Sequence, residues 1–407
     1  MKKIYFFAAF AAVALASCSS DETVAEYQGD AISFRPFVNN VTRAASTYDV
    51  TSANSGLTYA ISKFKVTGIL TGSSTKYLDG VVYTSDGSSS PVFYVDGTSA
   101  TTNKYKNEYY WPATETIDFF AYSYYDGGAC LGTTSQIAEV SGDNAYKTFT
   151  VTPTPGSDPA HADLVYAYLP GAGKTAYGAN GVPLNFRHAE SKISVKVQNT
   201  ATKLKFKVEG WKIAFLDGTG TFTFATTDGS TATASTLLRK GYWSDNTVAV
   251  IGTEYASTFT GVDVAANATT ASALAGDFIV VPQALTNNTI TKTYAGTTTS
   301  DKPSGAYIAV KLYILDNATN VLLAGGGTTA EPTTIWAIWP ISGEWEPGKH
   351  YTYTIDLAGG GYYETNKEST DNALDPLLEN AIIKFVDVTV DSWDVQTETP
   401  VTGPINS

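Results

Sequence analysis

Apolar side chains recur at every second position along much of this chain, a period that admits one kind of element. Ile193, Val195 and Val197 alternate with Lys192, Ser194 and Lys196, and Leu204, Phe206 and Val208 alternate with Lys203, Lys205 and Lys207. Phe222 and Phe224, then Tyr351, Tyr353, Ile355 and Leu357, repeat the pattern. Successive side chains of a strand point to opposite faces, so these runs read as sheets with one face on a core and one in water. Ile308, Val310, Leu312 and Ile314, with Tyr307 and Tyr313 on the other face, read as a strand buried on both sides. Turn signals such as Asp86-Gly87, Asp126-Gly127-Gly128 and Asp228-Gly229 separate the runs. Helical periodicity is almost absent; the best helix start is Asp375-Pro376 ahead of Leu377 and Leu378. The 26 Tyr, 18 Phe and 35 Gly, with a single Met, suit half-buried strands and tight turns.

The fold class is therefore all-β. For 407 residues, two β-sandwich domains in tandem fit better than one large barrel. The small, turn-rich stretch from Gly171-Ala172-Gly173 to Gly178-Ala179-Asn180-Gly181 marks the divide. It separates an N-terminal domain, residues 31–182, from a C-terminal domain, residues 183–393.

The first residues carry an export pattern. Lys2 and Lys3 precede an uncharged apolar run, Ile4 to Leu15, of signal-peptide length and too short to span a bilayer. Leu15-Ala16-Ser17-Cys18 resembles a lipobox, in which the cysteine is acylated and becomes the mature N-terminus. Residues 1–17 are then the signal peptide, residues 18–30 a tether and Cys18 the lipidation site. Several acyl chains on one residue hold a protein stably on a membrane, where a single chain is marginal. Ser19, Ser20, Asp21 and Glu22 resemble a surface-export signal or, equally, form a solvated tether. With Cys18 acylated, Cys130 has no partner within the chain, so the core must supply the stability.

A net charge of −13 argues against nucleic acid and anionic lipid as partners. His161 with Asp163, and His188 with Glu190, are i, i+2 pairs outside any metalloprotease, zinc or triad motif, and read as loop or surface groups. Gly325-Gly326-Gly327 and Gly359-Gly360-Gly361 lack the lysine and the strand–turn–helix context of a phosphate loop. No catalytic, cofactor-binding or metal residue is assigned, and the chain is expected not to be an enzyme. Trp336, Trp339 and Trp345, interleaved with Ile335, Ile338 and Ile341, read as core. Exposed on a flat surface, the three rings would instead suit a glycan-binding surface lipoprotein that does not polymerise.

Several segments, in order, are similar to the fimbrillin family, especially its Mfa-like branch of type V pilins. They are Ala31-Ile32-Ser33-Phe34, Val41-Thr42-Arg43-Ala44-Ala45, Tyr109-Tyr110-Trp111-Pro112-Ala113 and Ile117-Asp118-Phe119-Phe120-Ala121-Tyr122. Ala162-Asp163-Leu164-Val165, Asn185-Phe186-Arg187-His188-Ala189-Glu190-Ser191-Lys192-Ile193 and Val280-Val281-Pro282-Gln283 follow. Trp345-Glu346-Pro347-Gly348-Lys349-His350-Tyr351 and Val388-Thr389-Val390-Asp391-Ser392-Trp393 complete the set.

The resemblance implies two transthyretin-like sandwich domains and a structural or tip subunit of a cell-surface fimbria, exported as an outer-membrane lipoprotein, with a role in adhesion. It implies other fimbrial subunits, an arginine-specific protease and a host glycan or protein as partners, and no cofactor. Cleavage is expected after Arg43, leaving Ala44 as the new N-terminus and freeing residues 31–43. In that segment Ile32, Phe34 and Val38 share one face, and Pro36 marks an edge strand because it cannot donate to a ladder. At the other end Trp393, Val395, Thr397, Thr399 and Val401 share a face opposite Asp394, Gln396 and Glu398. That makes residues 394–407 a candidate donor strand interrupted by Pro400 or, equally, a tail without fixed structure.

Overall fold

The computed structural model describes residues 31–38, 61–87, 92–97, 109–126, 129–157, 160–179, 181–224, 242–285, 306–359, 362–364, 374–376 and 385–392. Their regular secondary structure consists almost wholly of strands. The first five are β1 (Phe34–Val38), β2 (Lys63–Leu70), β3 (Lys76–Ser85), β4 (Phe93–Val95) and β5 (Ile117–Tyr125). A seven-stranded sheet runs in the order β1, Val182–His188, Asp163–Ala172, β5, β2, β3, β4.

This sheet is curled. In a flat sheet β1 and β3 would lie about 24 Å apart, five spacings of about 4.8 Å. Yet the Phe34 and Tyr83 ring centroids are 4.8 Å apart. The strands therefore bend around a core that holds Phe34, Phe64, Tyr83, Phe119, Val182 and Phe186. The outer face is covered as well: Phe120, Tyr122, Leu164 and Tyr166 pack with Phe149, Phe222 and Phe224. Alternation in β5 and Asp163–Ala172 thus divides two apolar layers.

Two further sheets enclose the largest core. One has the order Ala268–Ala273, Ser191–Asn199, Lys349–Asp356, Phe385–Ser392, with Phe278–Val280 also on Ser191–Asn199. It supplies Ile193, Val195, Val197, Tyr353 and Ile355. The other, ten-stranded, contains Leu204–Thr223, Tyr242–Val264, Tyr307–Asp316 and Ile335–Pro340. It supplies Phe206, Trp211, Ile308, Val310, Leu312 and Trp339.

Leu204–Thr223 is 20 residues long, about 65 Å at strand rise, and serves two cores. Phe206, Val208, Trp211, Ile213 and Leu216 enter the largest core, whereas Phe222 belongs to the outer layer of the first sheet. The inward positions change parity twice, at register shifts between Val208 and Gly210 and between Ile213 and Leu216. One extra residue in a strand turns the following side chains to the other face. Gly210 permits the first shift, because a Cβ there would lie 2.7 Å from the Ser257 carbonyl oxygen. At the far end Thr148–Val151 pairs with Gly220–Thr223, so the ten-stranded sheet draws strands from both halves of the chain.

Val182–His188 pairs with β1 and Asp163–Ala172, and the chain passes to the next sheet at Ala189-Glu190. One expectation shifts. Asp375-Pro376, read as a helix start, lies in the short strand Leu374–Pro376, paired with Tyr362–Glu364. Cross-strand pairing there outweighs a local capping signal.

Candidate functional site

β1 closes one side of the curled sheet and is held unevenly. It runs parallel to Val182–His188, with Phe34 opposite Val182 and Val38 opposite Phe186. The Val182 N–H donates to the Ser33 carbonyl at 2.7 Å, and the Ile32 N–H to the Tyr109 carbonyl at 2.7 Å. Arg35 Nε donates to the Gly181 carbonyl at 3.3 Å. Gly181 has φ +73°, and a Cβ on it would lie 2.9 Å from Ser33 Oγ, so a glycine is what lets the two segments approach. Pro36 contributes no N–H, which thins the ladder at an edge.

The side chains alternate as the sequence indicates. Ile32 is 4% exposed and Phe34 3%, Pro36 is buried, and Ser33 faces out. Three rings wall Phe34: Tyr83 at 4.8 Å, Phe119 at 5.3 Å and Phe64 at 6.0 Å between centroids, all edge-to-face. Edge-on packing sets the positive rim of one ring against the negative face of another. Burying Ile32 and Phe34 contributes about 1.5–3 kcal/mol each, and the aromatic geometry adds to it. The groove beneath β1 is therefore apolar, aromatic and bounded by the backbone edge of Val182–His188.

Ile32 and Phe34 thus lie together in this groove, and Val38 joins through its backbone. Cys18, Arg43, Ala44, Trp393, Val395, Thr397, Thr399 and Val401 lie outside the described residues. The strand before the candidate donor segment, Phe385–Ser392, pairs with Lys349–Asp356 at the edge of its sheet. The three tryptophans do not form a platform. Trp339 and Trp345 are core, Trp345 Nε1 donating to Tyr353 Oη at 2.9 Å, while Trp336 lies among Tyr307, Ala309 and Ile338 under the Lys212 ammonium.

A second polar group sits where the chain changes sheet. His188 Nδ1 lies 2.8 Å from Asp163 Oδ1, and both residues are buried. Glu190, fully buried, accepts the Leu164 N–H on Oε2 at 2.9 Å. Its Oε1 and the Tyr255 hydroxyl have no hydrogen-bond partner among the described residues. Burial, then the charge of Asp163, pushes the Glu190 carboxyl well above the usual carboxylate range, against the Leu164 N–H. Around it the Ala189 carbonyl accepts from Trp243 Nε1 at 2.8 Å, and Gly348 N–H donates to the Glu190 carbonyl at 2.8 Å. His161 joins the two halves elsewhere. Its Nδ1 accepts the Ile279 N–H at 2.9 Å, which leaves Nε2 as donor to the Thr154 carbonyl at 3.1 Å. Burial lowers its pKa to about 4, against the raising effect of the Thr154 bond.

The sequence pairs His161–Asp163 and His188–Glu190 therefore give way to a cross-strand pair, Asp163–His188, and to buried rather than surface groups. Adjacency of those strands is the signal that sequence spacing lacks. Sequence reading also missed Ser194, Asp277 and His350. Ser194 Oγ donates to Asp277 Oδ1 at 2.6 Å and lies 2.7 Å from His350 Nε2. Its one proton is given to the carboxylate, so Nε2 is the donor toward Oγ. That order is the reverse of an activated serine, whose proton goes to the imidazole. Lys192 Nζ, 2.8 Å from Asp277 Oδ2, completes the group. Burial raises the Asp277 pKa, but bonds from Lys192 and Ser194 with the charges of Lys192 and His350 outweigh it and hold it below the ordinary value.

The described residues thus form an all-β protein with a thinly laddered edge strand over an aromatic groove and hydrogen-bonding polar clusters tied into its sheets. Residues 42–393 match the family model described as fimbrillin-like, and the chain belongs to that family, whose place is the cell-surface fimbria. No curated protein matches the sequence. Among solved structures, a candidate cell adhesion protein from Bacteroides ovatus is 13% identical with a TM-score of 0.41, over 90% of this chain and 98% of that one. One from Parabacteroides distasonis is 12% identical with a TM-score of 0.40, over 90% and 98%. The tip fimbrial protein Mfa3 from Porphyromonas gingivalis is 9% identical with a TM-score of 0.31, over 81% and 94%.

Proposed function

We propose that the chain is a structural or tip subunit of a fimbria, assembled by strand exchange that proteolysis triggers. The reading begins with export as a lipoprotein held on the outer membrane through Cys18, and with the two transthyretin-like sandwiches the family resemblance implies. Cleavage by an arginine-specific protease after Arg43 leaves Ala44 as the N-terminus and cuts β1 from the rest of the chain. While tethered, β1 occupies its groove at high effective concentration and excludes a competitor. Once cut, it is held by noncovalent contacts alone, and a neighbouring subunit's strand replaces it along Val182–His188. On the outgoing side the chain offers the face of Trp393, Val395, Thr397, Thr399 and Val401. Head-to-tail repetition of such a contact gives an open filament.

The supporting observation is the position of β1: an edge strand a few residues ahead of Arg43 that carries buried side chains out of the core when it leaves. The other arginine in this segment is poorly placed for cutting. Arg35 precedes Pro36 and is paired in the strand, whereas proteases need extended, unpaired backbone.

The test is to treat wild type and Arg43→Ala with an arginine-specific protease and size the products. Wild type is expected to assemble and Arg43→Ala to stay a folded monomer; equal assembly of the two would overturn the proposal. N-terminal sequencing of protein from the cell surface separates a lipid-blocked Cys18 from a free Ala44.

A further inference from the structure

We propose that the groove under β1 selects its occupant by one side chain, a phenylalanine in the position of Phe34, and that this occupant comes from a different subunit rather than from a second copy of this chain. The inference rests on the strand-exchange reading and adds the chemistry of the partner to it.

The contacts of β1 differ in how much they discriminate. The backbone edge of Val182–His188 accepts any extended segment, because its donors and acceptors are the same whatever the side chains. Ile32 occupies a general apolar position, and Pro36 asks only for a residue that tolerates a missing N–H bond. The Phe34 position is different. Tyr83, Phe119 and Phe64, from β3, β5 and β2, stand edge-to-face around it at 4.8, 5.3 and 6.0 Å. Phe64 is itself fixed by Phe93 at 5.1 Å and Phe186 at 5.7 Å, so the walls belong to a packed aromatic cluster that does not readily collapse. A smaller side chain leaves a cavity with rigid walls, and an indole overfills a space shaped for one six-membered ring. The socket therefore reads aromatic identity, and the backbone edge supplies the rest of the grip.

The candidate donor segment of this chain lacks that residue. Residues 394–407 contain no aromatic side chain, and Trp393 just before them is an indole. Through that segment a second copy presents no phenylalanine to the socket, whereas a different subunit with an alternating apolar strand centred on phenylalanine satisfies it.

Competition on the full chain tests this. The protein is cut after Arg43, the cut is verified by mass, and displacement of its own N-terminal segment by labelled synthetic peptides is followed by fluorescence anisotropy. The peptides are residues 31–38, the same with Phe34→Leu, with Phe34→Ala, and with Ser33→Phe and Phe34→Ser together, which keeps composition but moves the ring to the opposite face. Residues 388–402 form the fifth. The 31–38 peptide is expected to enter. Phe34→Leu should bind about 10-fold more weakly, and Phe34→Ala, the exchanged pair and 388–402 at least about 100-fold more weakly. Equal binding of the 31–38 peptide and its variants would overturn the selectivity while leaving strand exchange intact. Equal binding of 388–402 would make a second copy the occupant and overturn the choice of partner. Entry of no peptide at all, 31–38 included, would overturn strand exchange and this inference with it.

Discussion

The β1 groove and the sheet crossing at residues 188–191 are both buried and both join distant parts of the chain, yet they are built oppositely. β1 is held mainly by apolar burial and a ladder to Val182–His188, with single hydrogen bonds from Ile32 to Tyr109 and from Arg35 to Gly181. Hydrophobic contact is non-directional, so a segment of similar shape can replace another without leaving polar groups stranded. The crossing is held by Asp163–His188, by the Glu190 carboxyl on Leu164 and by bonds to the Ala189 and Glu190 carbonyls. Breaking any of these leaves a desolvated donor or acceptor, so such a region has one arrangement or none. Under the strand-exchange proposal, apolar contacts at the seam and polar ones at the joint would let one strand leave while the rest stays folded.

The largest expected effect is at the joint. Asp163→Ala deprives buried His188 of its carboxylate and should cost about 3 kcal/mol of global stability in denaturant titrations, with β1 lost only when the whole chain unfolds. An unchanged midpoint would mean that the joint is no more fixed than the seam.

Gly181→Ala should act on the seam alone. The alanine has to adopt φ near +73° and pushes against Ser33, a strain of about 1–2 kcal/mol. The segment ahead of a cut at Arg43 should dissociate about 10-fold faster, while the denaturant midpoint of the remainder stays near wild type. Loss of both together would erase the distinction between the two regions.

The smallest effect is a slope. The Glu190 carboxyl is raised in the folded state, so its contribution is fully present below the unfolded value near 4.5 and is lost as pH rises through the folded value. Glu190→Gln, neutral at every pH, should flatten the alkaline side of the stability–pH curve relative to wild type. His161 works on the acid side: with its pKa lowered to about 4 from 6.5, its contribution is present above 6.5 and lost as pH falls toward 4. An identical alkaline slope in Glu190→Gln and wild type would show that Glu190 does not titrate with folding.

Much of this was legible in the chain itself. Ile32 and Phe34 alternate with Ser33, Pro36 forbids a central position, and the inward residues of Ser191–Asn199 and Tyr307–Asp316 follow directly from a period of two. Alternation is a property of each strand's own backbone, so sequence alone determined the element type and inward faces of these runs and the edge character of β1. It could not say which strands become neighbours, because pairing energy resides between residues far apart in the chain. Asp163 meets His188 only once Asp163–Ala172 and Val182–His188 lie side by side, and Phe34 meets Tyr83 only because the sheet curls. The parity changes of Leu204–Thr223 depend on register shifts against Tyr242–Val264, which no single strand encodes. Local periodicity thus set what each segment exposes and what it buries, and the tertiary structure decided what each buried face is buried against, because that is settled by the packing of all the sheets at once.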